Sequence, residues 1–310
     1  MSDNNMKAIR FHDFGGTEVL VLEEVARPQP QADQVLVRVK AAGVNPADWK
    51  MREGLYKGFM QLPLPYTPGL EAAGTIETIG EGVSKFQRGQ AVYGPVMGGY
   101  AEYALAAAKD LMPKPAHLTF EEAASVPVGS LTAWQAVIEE AKIQPGQTVL
   151  VHGAAGGVGL YALQFARWKG ASVIGTASAS NLEFVRSLGA EQVIDYNQAP
   201  FETLLHDVDV VVDTVGGDLP ERSLKVLHPG GMLVTVAARL SPEMGKEQGL
   251  RVLSAGRASA EKLGQISELL ASKQIKPVVG KVFPLSEARQ AQELSQTGHG
   301  RGRIVLHIAD

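Results

Sequence analysis

Apolar and polar positions change their rhythm near residue 119 of this 310-residue chain. Before that point the pattern is short. Val35-Leu-Val-Arg-Val-Lys alternates with the period-2 pattern of a half-buried strand. Dense Gly and Pro between residues 54 and 99 break the region into short strands and turns. Thr119-Phe-Glu-Glu122 has the form of a capping box, in which a Thr hydroxyl and a Glu carboxylate three residues on each accept a helix-terminal N–H. The helix it starts, through Ala124, is expected to open a new domain. Beyond it strands and helices alternate. The apolar run Thr148-Val-Leu-Val-His is followed by Val158, Tyr161, Ala162 and Phe165 at helical spacing. Ser172-Val-Ile-Gly-Thr predicts the next strand, and Ser180-Asn-Leu-Glu183 predicts a second capping box. Gln192-Val-Ile-Asp, Val208-Asp-Val-Val-Val-Asp and Met232-Leu-Val-Thr-Val predict three further strands. A helix over about 286–297 and a last strand, Arg303-Ile-Val-Leu-His-Ile, close the chain. Such alternation builds a parallel sheet with helices on both faces, so the expected class is α/β, with two domains.

Composition removes several functions. With 29 Lys+Arg against 33 Asp+Glu, the net charge of −4 argues against a nucleic-acid partner, which needs a basic footprint. The chain has no cysteine, so disulfides, thiolate zinc clusters, iron–sulfur centres and cysteine nucleophiles are absent together. The seven histidines, at 12, 117, 152, 206, 228, 299 and 307, have no metal-ligand spacing, and no metal is expected. Residues 149–166 are apolar enough to suggest a membrane span, but they carry His152, Gln164 and four glycines, as a helix buried in a core does. No membrane partner is expected. The opening Met-Ser-Asp-Asn-Asn-Met-Lys lacks the regions of a secretory signal, which predicts a cytoplasmic protein.

The strongest local signal is Gly153-Ala154-Ala155-Gly156-Gly157-Val158-Gly159, between a strand and an amphipathic helix. Small residues there let backbone approach a pyrophosphate, whose charge is met by unpaired N–H groups at the helix start. These seven residues and Thr176 are the expected dinucleotide contacts. Enzymes that use NAD place an acid at the end of the second strand to bind the ribose hydroxyls. Here that strand runs out as Gly-Thr176-Ala-Ser178-Ala-Ser180-Asn181, with no acid before Glu183. NADPH is therefore the expected cofactor, with Ser178 and Asn181 against its 2′-phosphate.

Further motifs follow one another along nearly the whole chain: Gly43-Val-Asn45-Pro-Ala-Asp48-Trp-Lys, Pro68-Gly-Leu-Glu71-Ala-Ala-Gly74, Gly98-Gly-Tyr-Ala-Glu-Tyr103, Leu131-Thr132-Ala-Trp-Gln, Ile194-Asp-Tyr196 and Gly300-Arg-Gly-Arg-Ile-Val-Leu. In this order, with the glycine loop, the chain resembles the zinc-free, ζ-crystallin-like quinone oxidoreductases of the medium-chain dehydrogenase/reductase superfamily. The resemblance implies a GroES-like β-barrel domain, 1–121 completed by 275–310, and a doubly wound Rossmann domain with a parallel sheet, 122–274. It further implies a homodimer paired through residues 250–254. Zinc-dependent cousins have a Cys where this chain has Asn45 and a His where it has Leu70, so the resemblance also implies that zinc is absent.

Without a Lewis acid, acceptors that take hydride directly are favoured. The expected function is NADPH-dependent reduction of a quinone or an α,β-unsaturated carbonyl, either an enone or a 2-alkenal. The resemblance places Asn45 near the nicotinamide, where it is expected to donate to the substrate carbonyl, and Asp48 is expected to orient it or form a turn. Tyr56 is expected to donate the proton, and Thr132, expected at a helix start, resembles the residue that touches the carboxamide side of the ring. Tyr196 is placed by resemblance at the adenine-side phosphate. Arg301 and Arg303 are expected to be solvated, while Trp49 and Phe59 shape an apolar pocket or pack in the core. Two alternatives stand beside this reading: an enoyl-thioester reductase, and a non-catalytic NADPH-binding crystallin-like or RNA-binding protein. Substrate choice is expected to rest on loops 54–65, 93–100 and 237–249.

Overall fold

The computed structural model describes residues 4–58, 60–256 and 258–309, so Phe59 lies outside the described residues. By contact the chain forms two compact units. One contains the residues up to Val128, the helix Leu263–Ala271 and the C-terminal segment from Lys276; the other contains Gly129–Lys262 and Ser272–Ile275.

The first unit is built on a seven-stranded, mostly antiparallel sheet. Its strands run in the order Val279–Pro284, Arg303–His307, Gln34–Val44, Glu71–Ile79, Ala91–Pro95 and Met112–Pro113, with Tyr103–Ala107 also on Gln34–Val44. The alternating segment read from the sequence is the central strand Gln34–Val44. The C-terminal helix Ala288–Gln296 contributes Ala288 and Ala291 to the same core as Val37, Val39 and Ile76. The first capping box forms as expected: Thr119 Oγ1 accepts from the Glu122 N–H at 3.1 Å and Glu122 Oε2 from the Thr119 N–H at 2.8 Å. Its helix, Phe120–Ala124, does not open the second unit. It packs on the first unit's sheet, where Glu121 meets His307 at 3.0 Å. The helix Leu263–Ala271 likewise packs against Met112–Pro113 of the first unit.

The second unit is a six-stranded parallel sheet. Its order is Gln192–Asp195, Ser172–Ala177, Thr148–His152, Val208–Asp213, Leu227–Thr235 and Arg251–Ser254. In the sequence order of these strands this is 3-2-1-4-5-6, the doubly wound arrangement that reverses direction beside its first strand. Every residue of the helix Gly159–Trp168 from Gly159 to Ala166 is buried, which accounts for the membrane-like hydropathy of this stretch. Among the described residues, no helix is long and apolar enough to cross a membrane. The strand Arg251–Ser254 is the edge of this sheet.

The second capping box does not form. Asn181, not Ser180, precedes the helix Leu182–Ser187, and Glu183 pairs with Arg186. A 3₁₀ turn over Ala179–Asn181 displaces the helix start by one residue.

Candidate active site

In the first unit the chemistry gathers where the strand Gln34–Val44 runs into the short helix Pro46–Arg52. Pro46 suits the first helical position because its missing N–H would have had no partner there. Asp48, on the first turn, is fully buried, and its Oδ2 accepts from the Asn45 N–H at 2.8 Å. The same carboxylate accepts from the Tyr100 hydroxyl at 3.1 Å and the Gly69 N–H at 3.3 Å. Burial pushes the Asp48 pKa up to about 7 despite these three donors, with a smaller upward push from the Glu71 charge. Asp48 thus ties a helix start, a loop and a tyrosine together.

Asn45 is 1% exposed, and its side chain is already engaged. Its Nδ2 donates to Glu71 Oε1 at 2.8 Å, and its Oδ1 accepts from Arg303 Nη2 at 2.7 Å. Arg303 also pairs directly with Glu71, so three buried polar side chains close a ring. The second Glu71 oxygen accepts the Val128 N–H at 2.6 Å. Gly43 is required beneath this ring, because a Cβ there would run into the Glu71 carboxylate.

Arg303 is therefore not solvated. It is 4% exposed, and the opposite charge of Glu71 makes that burial tolerable. Arg301 is exposed. Sequence reasoning misses Glu71, whose one signal is a lone charge inside the small, apolar run Gly69-Leu-Glu-Ala-Ala-Gly74.

Tyr56 lies half-buried in the turn after this helix, and no protein partner of its hydroxyl is found among the described residues. Burial, and then the Asp48 charge, raise its pKa above the usual phenol value, so the hydroxyl keeps its proton at neutral pH. Trp49 is half-buried, with an indole N–H that meets no acceptor among the described residues.

These donor groups do not suit a metal ion. The Asn45 oxygen is taken by a guanidinium, Leu70 offers no lone pair, and a fixed buried cation would repel a second one. Among the described residues no group of three or more His, Cys, Asp or Glu could hold a metal ion.

In the second unit the glycine loop leaves the first strand at Gly153, whose φ of +67° only glycine adopts readily. A Cβ there would stand 2.8 Å from Thr214 Oγ1 and Val215 Cγ2. Gly159 has a second reason: its Cα passes so close to the Gly153 carbonyl that no Cβ fits. Within the loop, the Ala154 N–H is bonded to the Thr176 carbonyl and the Gly156 N–H to that of Gly153. The N–H groups of Ala155, Gly157 and Val158 meet no backbone or side-chain acceptor among the described residues. Three unspent N–H groups at the start of a ten-residue helix fit a phosphate-bearing cofactor.

A chain of hydrogen bonds anchors this loop from behind. The Ser223 hydroxyl donates to the Leu219 carbonyl at 2.6 Å, so His152 Nε2 must be the donor in its 3.0 Å contact with Ser223. Burial drives the His152 pKa down to about 4, which leaves the ring neutral and its Nδ1 an acceptor for the Thr176 hydroxyl at 3.2 Å. Thr176 Oγ1 in turn accepts from the Gly153 N–H at 3.3 Å. Thr176 is 4% exposed, so its side chain supports the loop from inside the protein. Asp213, also buried and also without a local sequence signal, accepts from the Val215 and Gly216 N–H groups at 2.9 Å and from the Thr235 hydroxyl at 2.6 Å.

Ser178 Oγ accepts from Asn181 Nδ2 at 3.1 Å and lies 3.3 Å from Ser180 Oγ, so the three hydroxyl and amide groups cluster at the strand end. The Tyr196 N–H reaches the Ala177 carbonyl at 3.3 Å, and Tyr196 is 53% exposed. Thr132 lies in the last turn of the helix Pro127–Trp134, not at a helix start, because Pro127 sets the first position five residues earlier.

A GroES-like unit combined with a doubly wound parallel sheet, whose first turn is a glycine loop with free N–H groups, defines a medium-chain dehydrogenase/reductase. Family models agree: residues 31–116 match the alcohol dehydrogenase GroES-like domain, and residues 188–306 match the zinc-binding dehydrogenase model. The chain is 38% identical to a quinone oxidoreductase of Mus musculus, covering 97% of both chains. It is 33% identical to the NADPH-dependent alkenal/one oxidoreductase, chloroplastic, of Arabidopsis thaliana, covering 97% of this chain and 79% of that one. The structure of the quinone oxidoreductase from Coxiella burnetii superposes with a TM-score of 0.89 at 35% identity, covering 98% and 99% of the two chains. This chain belongs to the quinone oxidoreductase family of medium-chain dehydrogenases/reductases, and it is an oxidoreductase.

Proposed function

We propose that the protein is an NADPH-dependent, zinc-independent enzyme that passes hydride to a quinone or an α,β-unsaturated carbonyl. The observation that carries this reading is the full-length similarity to quinone oxidoreductases and to an alkenal/one oxidoreductase. When bound, the cofactor supplies the hydride; the protein supplies position, hydrogen bonds and a proton.

In this reading the first unit handles the acceptor and the second holds the cofactor. The loop Gly153–Gly159 takes the pyrophosphate, while Ser178 and Asn181 meet the 2′-phosphate with Tyr196 beside them. The missing acid at the strand end supports NADPH, since a carboxylate there would repel that phosphate. Thr132 touches the carboxamide side of the nicotinamide. Tyr56 donates the proton to the reduced acceptor, which its raised pKa and unpartnered hydroxyl support. Asp48 is a positioning residue. The protein works in the cytoplasm as a homodimer joined through Arg251–Ser254; an unpaired sheet edge supports such pairing.

The test is NADPH oxidation with a naphthoquinone, 2-cyclohexenone, a 2-alkenal and crotonyl-CoA, with bound metal measured alongside. Turnover of the first three without stoichiometric zinc is expected. Turnover of crotonyl-CoA alone would transfer the enzyme to thioester reduction, and NADPH binding without any turnover would make it a non-catalytic binder.

A further inference from the structure

The ring of Asn45, Glu71 and Arg303 fixes more than a side-chain position. A carboxamide can be placed either way round, but here only one way is satisfied. Reversed, its oxygen would face the Glu71 carboxylate and its NH₂ the Arg303 guanidinium. The observed orientation spends the oxygen on Arg303 and one Nδ2 hydrogen on Glu71. The second Nδ2 hydrogen has no acceptor among the described residues, although Asn45 is buried. Arg303 Nε, in the same cluster, is also buried without an acceptor. Buried donors left unpaired are rare in folded proteins.

The ring also changes the strength of that free donor. A cation bonded to the amide oxygen draws electrons from the amide nitrogen and strengthens its free N–H as a donor, while the Glu71 carboxylate on the other N–H fixes which way round the amide sits. Glu71 and Arg303 cancel in net charge, so the amide is polarised without leaving an uncompensated ion inside the protein. Glu71 is itself held by the Val128 N–H, and the Asn45 backbone by Asp48, so neither partner is free to relax.

We infer that Glu71 and Arg303 are positioning residues that lock and polarise the Asn45 carboxamide, whose remaining N–H is the donor for the acceptor oxygen that gains charge during reduction. This rests on the carbonyl-reduction reading above. Hydride addition at the β-carbon of an enone places an electron pair on the carbonyl oxygen, and a proton then adds at the α-carbon. The enolate oxygen is strongly basic. A quinone yields a hydroquinone anion, whose charge is spread over an aromatic ring and needs far less help. A donor aimed at the oxygen therefore matters more for the enone.

The experiment compares wild type with Glu71→Gln and Arg303→Lys on 2-cyclohexenone and on a naphthoquinone. The enone kcat is expected to fall about 10- to 100-fold, less than the roughly 100- to 1,000-fold cost of removing such a donor outright, while KM for both acceptors and the quinone kcat stay within about threefold. A second readout needs no turnover. With oxidised cofactor present, 4-nitrophenolate should bind wild type about tenfold more tightly than Arg303→Lys, which keeps the charge of the cluster, while the neutral 4-nitroanisole binds both alike; Glu71→Gln is left out of this readout because its unpaired Arg303 would itself attract the anion. If either variant lacks a cooperative melting transition, Asn45→Ser, which removes the amide and keeps the Glu71–Arg303 pair, takes its place in both assays. Equal losses on both acceptors, or unchanged nitrophenolate binding, would overturn the inference while leaving carbonyl reduction standing. A wild-type enzyme that reduces neither acceptor would overturn the reading beneath it.

Discussion

Replacing Asp48 by Asn removes a carboxyl that is fully buried and whose pKa is raised from 3.8 to about 7, chiefly by burial. A carboxyl with a raised folded-state pKa favours folding fully below its unfolded value, and that contribution is lost as pH rises through the folded value. The window is therefore pH 3.8 to about 7. Across it the difference amounts to about 4 kcal/mol, of which about 3 kcal/mol falls between pH 5 and 8. Wild type should lose about that much stability over this interval from Asp48, and Asp48→Asn should not. Absolute stabilities will also differ, because an Asn at this position turns an NH₂ toward one of the donors from Asn45, Gly69 and Tyr100. That offset does not depend on pH, so the quantity to read is the slope of the difference. Neighbouring tyrosines do not confuse it: the pKa values of Tyr56, Tyr66 and Tyr100 are all raised, which keeps them protonated throughout. His152, lowered from 6.5 to about 4, takes up a proton on unfolding at the acid end of this interval, a contribution common to both proteins that cancels in the difference. Urea unfolding of both proteins at pH 5, 6, 7 and 8 measures the slope. Parallel curves would refute the argument that burial raises the Asp48 pKa in the folded protein.

Three other outcomes follow from the same geometry. Tyr56→Phe should lower kcat about 100-fold at saturating substrate, with NADPH affinity unchanged, and an unaltered kcat would assign the proton to water. Gly153→Ala forces a side chain into a left-handed φ of +67° against Thr214 and Val215. It should cost about 1–2 kcal/mol of stability and weaken NADPH binding about tenfold, as read by melting and by fluorescence titration. Ser178→Asp puts a carboxylate where the 2′-phosphate is proposed to lie, so the ratio of NADPH to NADH affinity should drop about tenfold or more; an unchanged ratio would remove Ser178 from that role.

Much of the cofactor unit is legible in the amino-acid sequence, for a physical reason. Its parallel strands are apolar runs, its central helix repeats every three to four residues, and its glycines stand where positive φ or close backbone approach requires them. Each of these constraints acts between neighbours in sequence. The Thr119 cap is readable on the same ground, since donor and acceptor are three residues apart. Ser180 has the same local pattern and does not cap, because an intervening 3₁₀ turn moves the helix start to Asn181. Residue type shows that a cap is possible; backbone path decides whether it forms.

The candidate site in the first unit is only partly legible. Asn45, Asp48 and Tyr56 stand in or beside a recognisable motif, yet their surroundings come from far along the chain. Tyr100 is 52 residues from Asp48, and Arg303 is 258 residues from Asn45. A lone arginine near a C-terminus is ordinarily solvated, and nothing nearby in sequence shows that a strand will carry this one inside. Its burial follows from the pairing of Arg303–His307 with the central strand Gln34–Val44, which brings Arg303 onto the carboxylate of Glu71. The amino-acid sequence by itself determined the strands, the helix periods, the glycine loop and the family. Only the tertiary structure decided that Asn45 is locked between opposite charges, because desolvation makes two distant charged residues each other's only adequate solvent.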